Sequence, residues 1–205
     1  MNPVPVDFTA AEQAWAVAVL LHPHPDFGGD RFNAVIDELY RRLPLAGIST
    51  IRFDFSSSEL PIAAAETVEV FNHVDTRPLA LVGYSFGADV ASTVDDERIA
   101  GWFLIAPPFV DGRRPRPIAT DARPKGLLLP EHDQYSPPGR GAHIAAKWVN
   151  TSVGTVLGAD HFLMGHTGEV VDEALRWLRG FRAPGAPGAP GASGAGGAGR
   201  PSRPR

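Results

Sequence analysis

The sequence contains no cysteine, and this absence excludes several kinds of chemistry. Without thiols the chain has no disulfide framework, thiolate zinc site or iron–sulfur cluster, and any covalent catalysis must use another nucleophile. It also lacks an apolar run approaching the ~18 residues that span a bilayer. The first 20 residues carry no Lys or Arg of the kind that opens a signal peptide. We therefore expect no membrane span and a cytoplasmic location.

The chain has no excess of positive charge, because its net charge is −4. Residues 183–205 hold three arginines and no acid, which leaves −7 on residues 1–182. An acidic body argues against a nucleic-acid partner. The last segment repeats Ala-Pro-Gly three times and continues in Gly, Ala, Ser, Pro and Arg. Such a composition buries too little apolar surface to fold, so we predict one domain over 1–182 and a disordered tail over 183–205.

The body alternates short apolar runs with segments of helical periodicity, over a chain of 205 residues that is long enough for one full core. This alternation predicts an α/β fold with a doubly wound, mostly parallel sheet of six to seven strands. The expected strands are residues 15–22, 50–55, 79–84, 102–106, 126–130 and 152–157. The expected helices are residues 31–43, 63–73, 86–94, 141–149 and 169–181. The proline-rich residues 107–124 are expected to form a long loop.

The most informative motif is Gly-Tyr-Ser-Phe-Gly at residues 83–87, between a predicted strand and a predicted helix. This is the context of a nucleophile elbow, in which a serine stands on a strained turn. Gly83 and Gly87 would allow the strand and the helix to approach closely. The helix that follows directs unpaired amide groups and its positive end toward a developing oxyanion. We therefore predict Ser85 as a nucleophile.

A serine nucleophile needs a base and an acid that orients the base, and both follow later in the chain. His161 follows one predicted strand and Asp133 follows another, so both lie at the same sheet edge as Ser85. We predict His161 as the base and Asp133 as the acid. Glu131 and Asp160 remain alternative acids.

A second constellation is His-Pro-His-Pro followed by Gly-Gly within residues 22–29. A metal site at His22 and His24 is disfavoured, because no third ligand is specified nearby and the prolines fix the loop. Since proline has no N–H, His24 offers the single backbone donor between residues 23 and 25. We predict that the amides of His24 and Phe86 form an oxyanion hole, and that His22 hydrogen-bonds the loop backbone.

Asp133 and His161 stand in two further motifs, His-Asp-x-x-x-Pro-Pro at residues 132–138 and Gly-Ala-Asp-His-Phe at residues 158–162. Together with the motifs at residues 22–29 and 83–88, they resemble the motifs of the α/β-hydrolase superfamily. The likeness covers residues 15–181 and is greatest to small bacterial serine hydrolases of largely unassigned substrate. It implies the same roles for Ser85, Asp133, His161 and the amides of His24 and Phe86. The chain departs from these relatives in its Ser-Ser-Ser-Glu segment at residues 56–59, which stands where they carry an Arg-Gly-x-Gly-x-Ser loop.

Two shortened regions suggest a minimal form of that fold. The opening hairpin is reduced to one edge strand around residues 4–9, and no insertion long enough for a lid lies between residues 106 and 125. A lidless, open and shallow site is implied.

The sequence thus predicts a serine hydrolase that cleaves an ester, thioester or related acyl bond through an acyl-serine. The expected substrates are water and a small acyl compound with a short chain, and no metal or organic cofactor is expected. Acyl transfer, peptidase action and a scaffold role with little turnover are the alternatives. The sequence carries no signal for an oligomeric state.

Overall fold

The computed structural model describes residues 4–74, 77–109 and 116–181. Its strands are β1 (Val6–Thr9), β2 (Ala16–Leu21), β3 (Ile48–Phe53), β4 (Leu79–Tyr84), β5 (Ile99–Ile105), β6 (Lys125–Pro130) and β7 (Thr151–Val156). Its helices are α1 (Ala34–Arg42), α2 (Leu60–Val70), α3 (Phe86–Thr93), α4 (Pro138–Ala145) and α5 (Thr167–Leu178). Short 3₁₀ turns lie at Pro25–Phe27, Pro44–Ala46, Phe71–His73, Pro117–Thr120 and Arg179–Phe181.

Within the described residues the strands form one seven-stranded sheet in the order β1-β3-β2-β4-β5-β6-β7. All neighbours pair in parallel except β1, which runs antiparallel to β3 at one edge. The predicted α/β class and strand number are confirmed. Among the described residues one antiparallel edge strand, β1, precedes β2.

Helices cover both faces of the sheet because the strand side chains alternate between two apolar layers. In β2, Val17 and Val19 pack with the layer under α2, α3 and α4, whereas Ala18 and Leu20 pack with the layer under α1 and α5. This arrangement accounts for strands that are apolar along their whole length. The parallel strand ends define one carboxyl edge, where loops are free to carry functional groups.

Several element bounds differ from the expected ones. The first helix begins at Ala34 and not at residue 31, because the side chain of Asn33 accepts a hydrogen bond from Val35 N (3.0 Å) and caps the helix there. The fourth helix begins at Pro138, three residues earlier than expected, because proline suits a first helical turn. The third strand covers Ile48–Phe53 instead of residues 50–55.

The predicted tail at residues 183–205 lies outside the described residues, as does part of the predicted loop at residues 107–124. The described part of that loop includes the 3₁₀ turn Pro117–Thr120. No helix among the described residues is long and apolar enough to cross a membrane.

Candidate active site

Ser85 stands between β4 and α3 in a conformation that few non-glycine residues adopt, with φ 54° and ψ −115°. The flanking glycines make this turn sterically feasible. A Cβ on Gly83 would lie 2.3 Å from the carbonyl oxygen of Gly87, and a Cβ on Gly87 would lie 2.2 Å from that of Leu21 at the end of β2. The turn is therefore packed tightly against the neighbouring central strand.

The side chains of Ser85, His161 and Asp133 form one hydrogen-bonded row. Ser85 Oγ lies 2.9 Å from His161 Nε2, and His161 Nδ1 lies 2.9 Å from Asp133 Oδ2. Asp133 follows β6, and His161 lies between β7 and α5. The side chains of Asp133 and His161 are 1% and 8% exposed, so their contact is shielded from water. The structure thus brings together the three residues predicted as acid, base and nucleophile.

Backbone amides fix the orientation of the Asp133 carboxylate. Its Oδ1 atom accepts hydrogen bonds from Tyr135 N (2.8 Å) and Ser136 N (2.9 Å), which leaves Oδ2 for His161. An ionised carboxylate only accepts hydrogen bonds, so Nδ1 of His161 carries the proton and donates it. The other ring nitrogen, Nε2, is then free to accept from the hydroxyl of Ser85.

The backbone of His161 is held on both sides. Its N–H donates to the side-chain oxygen of Gln134 (3.2 Å), and its carbonyl accepts from the hydroxyl of Tyr84 (2.8 Å). Burial raises the pKa of Tyr84, so that hydroxyl keeps its proton and remains a donor. His161 is therefore anchored to β4, the strand that leads into Ser85.

The two alternative acids bind elsewhere. Glu131 accepts from Gly158 N (2.8 Å). Asp160 accepts from Phe162 N (3.0 Å). Both carboxylates stabilise the turn around residues 158–162, and Asp133 is the acid that contacts the ring of His161.

The loop over residues 23–29 is rigid around His24. The carbonyl of His24 accepts hydrogen bonds from Phe27 N (3.1 Å) and Gly29 N (3.0 Å). A Cβ on Gly29 would lie 2.3 Å from the carbonyl oxygen of Pro23. The rings of His24 and Phe86 pack with their centroids 4.9 Å apart. Among the backbone hydrogen bonds of loops and helix caps in the described part of the chain, none is donated by the N–H of His24 or the N–H of Phe86.

His22 lies below this loop and uses both ring nitrogens on the backbone. Phe55 N donates to Nε2 (2.9 Å), so Nδ1 carries the proton and donates to the carbonyl of Pro23 (2.6 Å). Burial lowers the pKa of His22, which keeps the ring neutral. Among the residues that the structure describes, no cluster of three or more His, Asp or Glu side chains could hold a metal ion.

A cleft of about 1220 Å³ opens over Ser85 and His161. Its walls include the loop at residues 23–29, the first turns of α2, one side of α3 and residues 134–135 and 161–162. This volume exceeds the ~300–1000 Å³ of most small-molecule pockets. A second cavity, of about 580 Å³, lies at the opposite edge between the beginnings of β6 and β7 and the end of α5.

Sequence reasoning missed a buried ion pair one helical turn beyond Ser85. Asp89 lines the cleft from α3, and Arg116 Nη2 lies 2.8 Å from its Oδ1 atom. Asp89 could have been found by its spacing, since a residue four positions after Ser85 lies on the same side of the helix. Arg116 gave no comparable signal, because it lies in an irregular proline-rich segment.

Solved structures of known proteins resemble this chain closely in fold. An α/β serine hydrolase homologue from Coxiella burnetii has a TM-score of 0.73 and 24% identity, with 83% of this chain and 89% of that chain covered. An α/β serine hydrolase without a lid from Xanthomonas campestris has a TM-score of 0.74 and 20% identity, covering 87% and 90%. A protein of unknown function from Agrobacterium tumefaciens has a TM-score of 0.69 and 25% identity, covering 84% and 88%.

No protein-family model matches the chain, and no curated protein matches it. The structural likeness nevertheless extends over most of the chain, and it includes the sheet and the helices on both faces. The chain therefore has the α/β-hydrolase fold, and its neighbours include a lidless example of that fold.

Proposed function

We propose that the protein is a serine hydrolase that cleaves a carboxylic ester, a thioester or a related acyl bond through an acyl-Ser85 intermediate. The observation that supports this proposal is the row of hydrogen bonds from Ser85 through His161 to Asp133, at 2.9 Å each. A serine, a base and an orienting acid in this geometry are the groups that acyl transfer to water requires.

In the first half of the reaction, Ser85 Oγ attacks the acyl carbon while His161 Nε2 takes its proton. The carbonyl oxygen becomes an oxyanion, for which the amides of His24 and Phe86 are the proposed donors. The imidazolium of His161 then gives its proton to the leaving group as the carbon–oxygen or carbon–sulfur bond breaks. Asp133 stabilises the charged ring throughout. The products are the acyl-enzyme and an alcohol or thiol.

In the second half, water replaces the alcohol or thiol. His161 takes a proton from water as the water oxygen attacks the acyl carbon, and it returns that proton to Ser85 Oγ when the acid leaves. The enzyme is regenerated, and one water molecule is consumed for each ester cleaved.

The local packing supports an oxyanion hole at His24. The carbonyl of Pro23, which shares a peptide plane with the N–H of His24, accepts a hydrogen bond from His22 Nδ1 (2.6 Å), and prolines flank His24, so this N–H keeps one direction without reorganisation during the reaction. Loss of one such donor typically lowers kcat by ~10²–10³. Because these donors belong to the backbone, substitution of the His24 side chain changes the donor only if it changes the conformation of the loop.

A fluorophosphonate probe tests the proposal directly, because it reacts with activated serines. We expect labelling of the wild type, no labelling of Ser85→Ala, and full labelling of Ser92→Ala, in which a serine of the same helix is removed. A wild type that is not labelled, or a Ser85→Ala variant labelled equally, would refute the proposal.

A panel of 4-nitrophenyl esters tests the acyl preference. We expect kcat/KM to be greatest at about two to four acyl carbons, because each buried methylene stabilises by ~0.8 kcal/mol only where apolar wall is present. The wall along α3 includes polar Asp89 and Thr93, which limits its apolar length. A maximum at dodecanoate or longer would show that another apolar surface binds the chain.

A further inference from the structure

A buried ion pair lies one helical turn beyond Ser85, and its acidic member lines the cleft. Asp89 on α3 is 9% exposed, and Arg116 Nη2 lies 2.8 Å from its Oδ1 atom. Arg116 also contacts the hydroxyl of Ser92 and stacks on the ring of Phe109, with 4.6 Å from its guanidinium carbon to the ring centroid. The proposed reaction does not use this pair.

The acidic partner faces the cleft and the basic partner lies behind it. Asp89 is among the residues that line the cleft, whereas Arg116, Ser92 and Phe109 are not. Asp89 Oδ1 lies against Arg116 and has almost no accessible surface, whereas within the described residues no hydrogen bond reaches Oδ2, the other oxygen of this cleft-lining carboxylate. The carboxylate therefore retains capacity to accept a hydrogen bond from a bound molecule.

The position of His161 decides which part of a substrate meets Asp89. The leaving group must lie next to His161 Nε2, because that atom protonates it. The acyl group then extends in the other direction, along the side of α3 that carries Phe86, Asp89 and Thr93. Residues four apart on a helix have Cβ atoms ~5–6 Å apart, so Asp89 lies beside about the third or fourth acyl carbon.

The charge balance indicates what kind of group Asp89 receives. Arg116 already balances its charge, so a neutral donor suits this carboxylate better than a second cation. Among the described residues that line the cleft there is no Lys or Arg, and Glu59 adds a second carboxylate, so an anionic acyl group is disfavoured. A substrate without a donor group would displace water from the Asp89 carboxylate and give it no hydrogen bond in return.

We propose that Asp89 determines specificity by accepting a hydrogen bond from a hydroxyl group on the acyl part of the substrate, at about its third carbon. This inference rests on the proposed function. It names the substrate class as esters or thioesters of short hydroxy acids.

Four methyl esters test this inference without change in the leaving group: butanoate, each enantiomer of 3-hydroxybutanoate, and 3-methoxybutanoate. For the preferred enantiomer we expect kcat/KM to exceed that of butanoate by about 10- to 100-fold, as for a hydrogen bond to a charged group. The methoxy ester has a similar shape and no donor, so it should gain nothing. The two enantiomers should differ, since a fixed carboxylate receives a hydroxyl from one direction.

Variants assign the preference to the carboxylate. In Asp89→Asn the ratio of hydroxybutanoate to butanoate kcat/KM should fall about fivefold or more, because a neutral acceptor replaces a charged one. The double variant Asp89→Leu/Arg116→Met removes both charges, which avoids leaving an unpaired buried arginine, and its ratio should approach one. Ser92→Ala removes a contact of Arg116 and a hydrogen bond to the backbone carbonyl of Asp89, but it leaves the Asp89 carboxylate in place and should keep the wild-type ratio. A ratio within one variant cancels that variant's overall activity, and comparison of the ratios between variants cancels the intrinsic reactivities of the esters.

The outcomes separate this inference from the proposed function. A wild type that hydrolyses methyl butanoate without preferring either hydroxybutanoate overturns the inference alone, as does a preference that persists in both Asp89 variants. A wild type that hydrolyses none of the esters and is not labelled by the fluorophosphonate overturns the proposed function with it. If Asp89→Asn fails to fold, the double variant gives the same measurement.

Discussion

Substitution of Asp133 by asparagine is a sharp test of the proposed site, because the structure fixes how the new amide group would be oriented. Two backbone N–H groups, of Tyr135 and Ser136, point at Oδ1. The amide oxygen of asparagine must occupy that position, since an NH₂ group there would face two donors. The NH₂ group then faces His161 Nδ1, where the wild type has a carboxylate oxygen.

This orientation reverses the hydrogen bond between residues 133 and 161. A donor at position 133 requires Nδ1 of His161 to be an acceptor, so the ring proton moves to Nε2. That nitrogen can no longer take the proton of Ser85 Oγ. We expect kcat to fall by ~10³–10⁴, the loss found when an orienting carboxylate is replaced in this way. At ~1.36 kcal/mol for each tenfold change, this corresponds to about 4–5.5 kcal/mol of transition-state stabilisation.

The assay compares kcat for 4-nitrophenyl acetate in wild type, Asp133→Asn and Glu131→Gln, with circular dichroism as the check on folding. Glu131→Gln is the matched control, because it changes a nearby exposed carboxylate that binds Gly158 N. It should retain most of the wild-type activity. The reasoning is wrong if Asp133→Asn retains wild-type kcat, and the acid is Glu131 if only Glu131→Gln is impaired.

Three further predictions concern stability, each measured by urea or thermal unfolding. Gly87→Ala should lower the free energy of unfolding by about 3 kcal/mol or more, because the new Cβ would lie 2.2 Å from the Leu21 carbonyl oxygen. Gly139→Ala, where the new Cβ meets open space, should raise it by about 0.4–1 kcal/mol. Equal effects of the two substitutions would contradict the packing argument. Burial lowers the pKa of His22 in the folded protein below the ordinary value of 6.5, so below pH 6.5 the unfolded chain binds more protons than the folded one. The free energy of unfolding should therefore fall as the pH drops below 6.5, and this fall should be smaller in His22→Gln. Truncation after residue 182 should leave Tm nearly unchanged; a large decrease would show that the tail packs on the domain.

Strand ends made the candidate site predictable from the sequence. Ser85, Asp133 and His161 each follow an apolar run, and the carboxyl ends of parallel strands share one edge, so chain order alone placed these side chains near each other. The sequence favoured Asp133 as the acid but left Glu131 as an alternative. That choice depends on backbone amides two and three residues beyond Asp133, whose direction is set by the turn into α4.

Other features depend on contacts between distant segments, and no local pattern shows them. The reason for glycine at position 87 is the carbonyl of Leu21, which lies on a neighbouring strand. The partner of Asp89 lies in a segment without periodicity, so Arg116 was not foreseen. By contrast, Asn33 is a favoured N-cap residue, and the true start of α1 could have been read from it.

The separation of the site groups along the chain has a consequence for folding kinetics. His161 is hydrogen-bonded to Ser85, which is 76 positions away along the chain, and to Asp133, which is 28 positions away. The loop that carries His24 follows a further strand, β2. Helical turns close locally within about a microsecond, whereas such distant pairings form slowly. During refolding from urea, the reactivity of Ser85 toward the fluorophosphonate should therefore return later than the far-ultraviolet helical signal. Labelling of Ser85 would then report when the sheet has formed.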